Sequence, residues 1–339
     1  MTNAVSVAQS VASGVSLGFK NRIINGAMMI DQRNAGASVT SASGNTYITD
    51  RFAIKSSQAS KFTGQQNAGA VTPPSNFKNY LGITSSSTYS VLSSDYFILY
   101  QGIEGLNSAD LGWGTANASP VTLSFWVRSS LTGTFGGALR NDAGNRSYPY
   151  TYTISSANTW EYKTISIPGD TTGSWLTNNT TGIEVGFGLG VGSTYSGTAG
   201  SWAASNYLSA TGATSVVGTN GATFYITGVQ LEVGTTATNF DYRPYGTEFA
   251  LCQRYYYKRN TTAQTLMLRT DGIRWLTVYM PVEMRATPTL SYTYNADGSG
   301  TTGTEANVCS TSFDLRSATS AGTGASNPYF TNVTASAEL

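Results

Sequence analysis

The groups that could carry chemistry in this chain are few. Histidine is absent from its 339 residues, which removes the commonest general base and the commonest transition-metal ligand together. Ser–His–Asp and Cys–His nucleophile systems and histidine-based zinc sites are therefore excluded within the chain. Cys252 and Cys309 have no CxxC spacing and are too few for a disulfide framework, so they read as buried free thiols. Eighteen carboxylates remain, and a pair set about 5–10 Å apart could cleave a glycosidic bond. Glu161, Asp170 and Glu184 fall near one another along segments that read as neighbouring strands. Spacing alone brings no two of them together, and the expectation is that the chain is not an enzyme.

Large aromatics in polar loops suggest a different chemistry. Trp113 lies in LGWGT, Trp175 in TTGSWLTNNTT and Trp202 in GTAGSWAAS; Tyr195 and Tyr207 lie in the Gly/Ser/Thr-rich stretch 193–222. A sugar presents apolar C–H faces and many hydroxyls, and indole or phenol platforms beside amides and carboxylates can hold both. These five are the candidate carbohydrate-binding residues. The same side chains could instead be loop plugs folded onto the domain, because large apolar groups tend to be buried. Trp126, in a strand, and Trp275, in a hairpin, read as packing residues.

The elements that must position these groups are strands. Charged residues are 11% of the chain, less than half the usual share of about 25%, and aromatics reach 12%, led by 21 tyrosines. Such a chain has ample material for a core and is not disordered. Its net charge is +1 with no basic run, which gives nucleic-acid binding no electrostatic footing. No apolar stretch reaches about 18 residues, so no membrane insertion is expected, and the N-terminus lacks the basic start and apolar middle of a secretory signal.

Period-two alternation recurs along the chain. Segment 22–34 reads as a short strand followed by a polar loop, and Thr46–Lys55 as one strand, with Asp50 and Arg51 as a local ion pair. Phe97–Glu104, Val121–Ser129 and Trp160–Pro168 follow. In Val121–Ser129, Leu123, Phe125 and Val127 point one way and Ser124, Trp126 and Arg128 the other. In Ile183–Ser193, Val185, Phe187, Leu189 and Val191 face one side and Gly186, Gly188, Gly190 and Gly192 the other. A phosphate loop needs glycines between a strand and a helix, and that spacing is missing. A bare strand face instead admits a close surface: a second sheet, a subunit or a flat sugar polymer, with packing the favoured reading. Phe224, Ile226, Val229, Leu231 and Val233 mark a last strand before the aromatic–arginine segment Tyr242, Arg243 and Tyr245, which reads as an interdomain seam. Beyond it, strands are expected at Leu251–Arg259, Gln264–Thr270, Ile273–Met280, Thr289–Tyr294, Asn307–Leu315 and Tyr329–Ala335, with a hairpin at Asp271-Gly272. The expected organisation is all-β: a short N-terminal anchoring arm (1–20), a large β-domain (21–246) and a smaller β-sandwich (247–339).

Several segments taken together carry a resemblance. Ile24-Asn25-Gly26, the strand LSFWVR at 123–128 and the closing strand YITGVQLE at 225–232 resemble carbohydrate-binding modules of the galactose-binding, jelly-roll type. NRIINGAMMIDQRNAG (21–36), DRFAI (50–54), SFWVRSS (124–130), TGVQLEVG (227–234), FDYRPYG (240–246), ALCQRYYYK (250–258) and VEMRATPT (282–289) look more closely like bacteriophage tail-fibre and related virion proteins that carry such a module. The resemblance makes the large domain (21–246) a jelly-roll β-sandwich, and implies a structural protein of a virion, made in the bacterial cytoplasm and exposed on the particle. It further implies a homotrimeric fibre, contact with other virion proteins through residues 1–20, and possible contact with host-surface polysaccharide. A head decoration protein, a free-standing carbohydrate-binding module and a polysaccharide-degrading spike are the alternatives. Where such modules place an acidic calcium ligand, this chain has Thr227 and Gly228 in the last strand and Ala27 after Asn25-Gly26. Calcium requires several hard oxygen ligands, so neither a metal nor another cofactor is expected.

Overall fold

The computed structural model describes residues 19–259, 263–264, 267–268, 273–295, 303–318 and 329–339. All but its last two residues, the expected anchoring arm lies outside them. The chain divides into two compact units, Met1–Tyr245 and Gly246–Leu339.

The first unit is a jelly-roll sandwich of two six-stranded antiparallel sheets. One sheet contains Val39–Thr40 (β1), Phe62–Gln66 (β4), Leu81–Ser85 (β5), Val121–Ser129 (β7), Glu161–Ile167 (β10) and Thr223–Val233 (β14), in the order β1-β4-β5-β14-β7-β10. The other contains Gly44–Thr49 (β2), Phe52–Ser56 (β3), Tyr96–Glu104 (β6), Gly133–Arg140 (β8), Ser147–Ile154 (β9) and Thr181–Val191 (β11), in the order β2-β3-β6-β11-β8-β9. The inward residues of the alternating strands meet in one core. Leu123, Phe125 and Val127 of β7 face Val185, Phe187 and Leu189 of β11 there, together with Phe62, Phe97, Phe135 and Phe224.

The structure departs from the sequence reading at several points. Segment 22–34 forms no strand; it is a chain of turns, with Asn25 at φ 62° and Met28 at φ 55°. The Asn25 side chain bonds both the N–H and the carbonyl of Ile30 and takes the Asp50 carbonyl as well. Thr46–Lys55 is two strands, β2 and β3, reversed at Asp50-Arg51 with Arg51 at φ 71°. Asp50 accepts from Gln32 Nε2 at 2.6 Å and Arg51 donates to the Gly102 carbonyl at 2.5 Å. In β11 a bulge between Gly188 and Gly190 switches the phase, so Val191 leaves the core face and packs with Tyr96 and Tyr195 on the other side.

The glycine face of β11 receives the chain's own strap. Ser196–Gly197 (β12) and Ser209–Ala210 (β13) pair in parallel. They lie so close that a Cβ on Gly136 or Gly188 would stand 2.6 or 2.7 Å from Ser209 Oγ. Packing, rather than ligand, occupies that face.

The helix Tyr245–Gln253 (α1) overturns the strand expected from Leu251. Glu248, Ala250, Leu251 and Gln253 are good helix formers, and Glu248 suits the positive end of the helix. Only Tyr256–Lys258 (β15) remains extended. The second unit continues with Ala263–Gln264 (β16), Met267–Leu268 (β17), Ile273–Tyr279 (β18), Thr289–Asn295 (β19), Gly303–Ala306 (β20), Ser312–Ala318 (β21) and Tyr329–Ser336 (β22). They form two four-stranded sheets around Val278, Met284, Phe313, Leu315, Phe330 and Val333. β17 and β18 pair as expected of a hairpin, whose Asp271-Gly272 turn lies outside the described residues. The strand expected from Asn307 begins at Ser312, because Asn307 turns at φ 48° and Cys309 N–H closes a turn onto the Ser312 carbonyl.

Cys252 is buried but Cys309 is exposed, against the expectation of two buried thiols. Hydrogen bonding from Ser312, and then from Thr311, lowers the Cys309 thiol to about 7. Alkylation by iodoacetamide near pH 7.5 is therefore expected at Cys309 and not at Cys252 in the folded protein, read by peptide mass mapping. Equal labelling of both would contradict this environment.

Candidate functional site: an aromatic groove on the β7–β14 face

On the outer face of the β7–β14–β10 sheet lies a groove of about 610 Å³. Its floor comes from alternation: Ser124 and Trp126 point away from the core on β7, and Trp126 is directly opposite Tyr162 of β10. Their rings are 5.3 Å apart, and Tyr162 is 43% exposed. Two loops supply the opposite wall. Phe77, Phe240 and Tyr242 form an aromatic triangle with centroids 4.8–5.6 Å apart, and the Tyr242 hydroxyl donates to the Asn76 carbonyl at 2.9 Å.

Gly228 lies between floor and wall. A bulge between Thr227 and Gln230 puts it at φ 62°, where a side chain is strained. Its Cβ would fall 2.6 Å from Phe77 Cζ and 3.2 Å from Trp126 Cδ1. The bulge is held from behind by the amino-terminal turns. Val229 N–H donates to the Gly26 carbonyl, and Asn21 bonds the Val229 carbonyl and the Leu231 N–H. This is the structural role of the Asn25-Gly26 pair.

The loop 237–242 is fixed by a buried carboxylate. Glu232 accepts from Thr238 N at 2.8 Å, Thr238 Oγ1 at 2.6 Å and Gln230 Nε2 at 2.8 Å. Asp241 accepts the backbone N–H groups of Lys20 and Asn21. Arg243 donates to the carbonyls of Asn21 and Ile23 and has Phe19 beneath its guanidinium. Tyr242 is thus a groove residue, Arg243 a clamp within the first unit, and Tyr245 an exposed side chain at the start of α1.

The five aromatic candidates from the sequence lie elsewhere. Trp113, Trp175 and Trp202 make a mutual edge-to-face trio with centroids 4.7–5.4 Å apart, extended by Tyr148. Each indole N–H is satisfied: Trp113 by the Ser119 carbonyl, Trp202 by the Pro168 carbonyl, and Trp175 by Asp170 and the Thr172 carbonyl. A small, mainly apolar pocket of about 170 Å³ opens beside Trp113, Trp175, Leu176 and Ile183. Tyr195 packs edge-on to Tyr96 in the strap, and the Tyr207 ring covers Gly197. The groove residues Trp126, Tyr162, Phe77 and Phe240 were not among the candidates. The outward phase of Trp126 on β7 was the available signal; its ring packs on Tyr162 and also lines the groove.

The three carboxylates considered for hydrolysis are engaged separately. Glu161 bonds Lys163 and the N–H groups of Ser155 and Ser156. Asp170 forms a bidentate pair with Arg146 at 2.6 and 2.7 Å. Glu184 forms one with Arg140 at 2.7 and 3.0 Å, with Lys55 at 3.5 Å. Burial pushes the Glu184 and Asp170 carboxyls up, but the charges and hydrogen bonds of these partners outweigh it and hold both below the ordinary carboxylate range. Burial dominates at Lys55 and lowers its amine. A depressed carboxyl contributes stability above its unfolded value and loses it as pH falls through the folded one. The contribution of these two carboxyls is therefore expected to be level from about pH 5 to 8 and to fall progressively below about pH 4, as measured by urea unfolding across that range. A stability that rises on acidification would contradict these assignments.

Among the described residues, no group of three or more histidine, cysteine or acidic side chains could hold a metal ion, and no helix is long and apolar enough to cross a membrane.

No protein-family model matches the chain, and no curated protein matches it in sequence. Solved structures similar to it include the enzymatically active domain of bacteriophage CBA120 tailspike protein 4. That match has 13% identity and a TM-score of 0.33, and it covers 63% of this chain and 21% of the tailspike chain. A family 4 carbohydrate-binding module matches at 13% identity and TM-score 0.30, covering 62% of this chain and 98% of its own. A putative sugar-binding protein from Bacteroides thetaiotaomicron matches at 10% identity and TM-score 0.35, covering 63% and 100%.

Proposed function

We propose that this protein is a non-catalytic structural subunit of a phage particle, a tail or head fibre, whose first unit holds host-surface glycan in the groove over Trp126. The observation that carries the glycan part is a contrast between indoles. Those of Trp113, Trp175 and Trp202 are spent on the protein's own carbonyls. The Trp126 indole N–H, the Tyr162 hydroxyl and the side-chain amides of Asn76 and Asn239 make no hydrogen bond to any described residue, yet they line one groove with open aromatic faces. Stacking surface beside uncommitted donors and acceptors is what a sugar ring requires, and the volume is in the range of small-molecule sites.

The fibre part is supported by the resemblance of segments 21–36, 240–246 and 250–258 to virion proteins. A subunit of this kind assembles as a symmetric homotrimer and meets other virion proteins through residues 1–20. Binding without cleavage fits a groove that no carboxylate lines among the described residues.

A glycan array probed with the full chain, paired with a reducing-end assay on each bound polysaccharide, tests this reading. Saturable binding without turnover is expected. Absence of binding removes the glycan role, and turnover removes the non-catalytic one. Sedimentation showing only monomer, or immunogold microscopy that never marks the particle, removes the fibre.

A further inference from the structure

We infer that the groove takes uncharged oligosaccharide and discriminates against uronic-acid and sulfated chains; this deepens, and rests on, the glycan-binding reading above. The floor and walls are aromatic rings, amides and hydroxyls, and among the described residues no Lys, Arg, Asp or Glu side chain lines them. A carboxylate or sulfate moved from water into such a surface loses hydration and gains no counter-charge, a net penalty.

Behind the wall two carboxylates stand against one ammonium, that of Lys20, which donates to Thr238 Oγ1 at 2.7 Å and to the Asn239 carbonyl at 3.4 Å from outside the lining. Asp241 stands between the lining residues Phe240 and Tyr242, and Glu232 holds the lining residue Thr238 through both carboxylate oxygens. Glu232 is engaged through both oxygens by Thr238 and Gln230, and Asp241 through Oδ2 by the N–H groups of Lys20 and Asn21. They fix the loop, and together they outnumber the Lys20 ammonium, so the wall carries no net positive charge to draw in an anion. The guanidinium of Arg128, on the same face of β7, donates through Nε to the Asn158 carbonyl and lies over Tyr225, outside the groove lining.

The test uses the full chain and matched probes: the best neutral oligosaccharide from the array, the same oligosaccharide oxidised to uronic acid at C6, and its sulfated form, each titrated by calorimetry at low and high salt. The neutral form is expected to bind at least about tenfold more tightly than either anion. The gap is expected to narrow in Ser75→Lys, an exposed groove-rim change that introduces a cation. Equal or tighter binding of an anionic form by the unaltered protein overturns the inference while leaving glycan binding intact. Failure of every probe, neutral and anionic, removes the glycan-binding reading and the inference together.

Discussion

Trp126→Ala is expected to weaken glycan binding by about 30-fold or more while leaving the fold in place, the loss typical of a central aromatic contact. Trp126 projects from the solvent face of β7, so its removal opens no cavity in the sandwich core; its neighbours Phe125 and Val127 remain sealed between the sheets. Trp126→Phe should retain part of the affinity, because stacking survives while the indole donor is lost. Trp202→Ala provides the opposite pattern. Its ring touches Trp113, Trp175 and Tyr148, and its N–H holds the Pro168 carbonyl. Truncation there should lower stability by about 2–4 kcal/mol, with groove affinity unchanged. Calorimetric titration and urea unfolding of both variants distinguish the two. If Trp202→Ala lost binding while Trp126→Ala retained it, the site would belong to the tryptophan trio.

Glu184→Ala is expected to destabilise the first unit by about 3–5 kcal/mol, as removal of one member of a buried ion pair does. Glu184 and Arg140 are both nearly inaccessible, and Lys55 leans on the same carboxylate over the ring of Tyr100. Without the carboxylate, the Arg140 guanidinium of β8 and the Lys55 ammonium of β3 remain in a largely desolvated site with no counter-charge between them. The double change Glu184→Leu with Arg140→Met should recover much of the loss, since an apolar pair of similar volume escapes the desolvation penalty. Equal stability of the single variant and the parent would mean that water already reaches the pair.

The sandwich itself was legible because its strands alternate over long stretches. β7, β10, β11 and β14 begin and end within about two residues of the positions read from the pattern, well inside the usual boundary error. The reading failed where a turn carried no glycine or proline. Asp50-Arg51 reverses the chain through a left-handed arginine, a conformation that composition does not announce. It failed again at α1, because the β-favouring tyrosines at 255–257 follow the helix formers Glu248, Ala250, Leu251 and Gln253 with no glycine or proline to mark the boundary.

The groove was half legible. Alternation on β7 aims Trp126 outward. The step from Ile226 to Val229 in β14 breaks the period of two at the place where the bulge and Gly228 stand. What spacing could not show is that residues 75–77 and 237–242, more than 150 positions apart, close over the same strand pair. Convergence of that kind is a property of the topology, set by β14 returning between β5 and β7.

The backbone that leads into the first sandwich at Lys20 and Asn21 and the backbone that leaves it at Asp241 are joined by a shared carboxylate, with Arg243 fastening the same spot. A polypeptide that starts and finishes at one place can be spliced into a surface loop of an unrelated scaffold without prising that scaffold apart. Residues 19–245 therefore have the geometry of a transplantable cassette, able to change hosts as a sealed piece and bring its groove along.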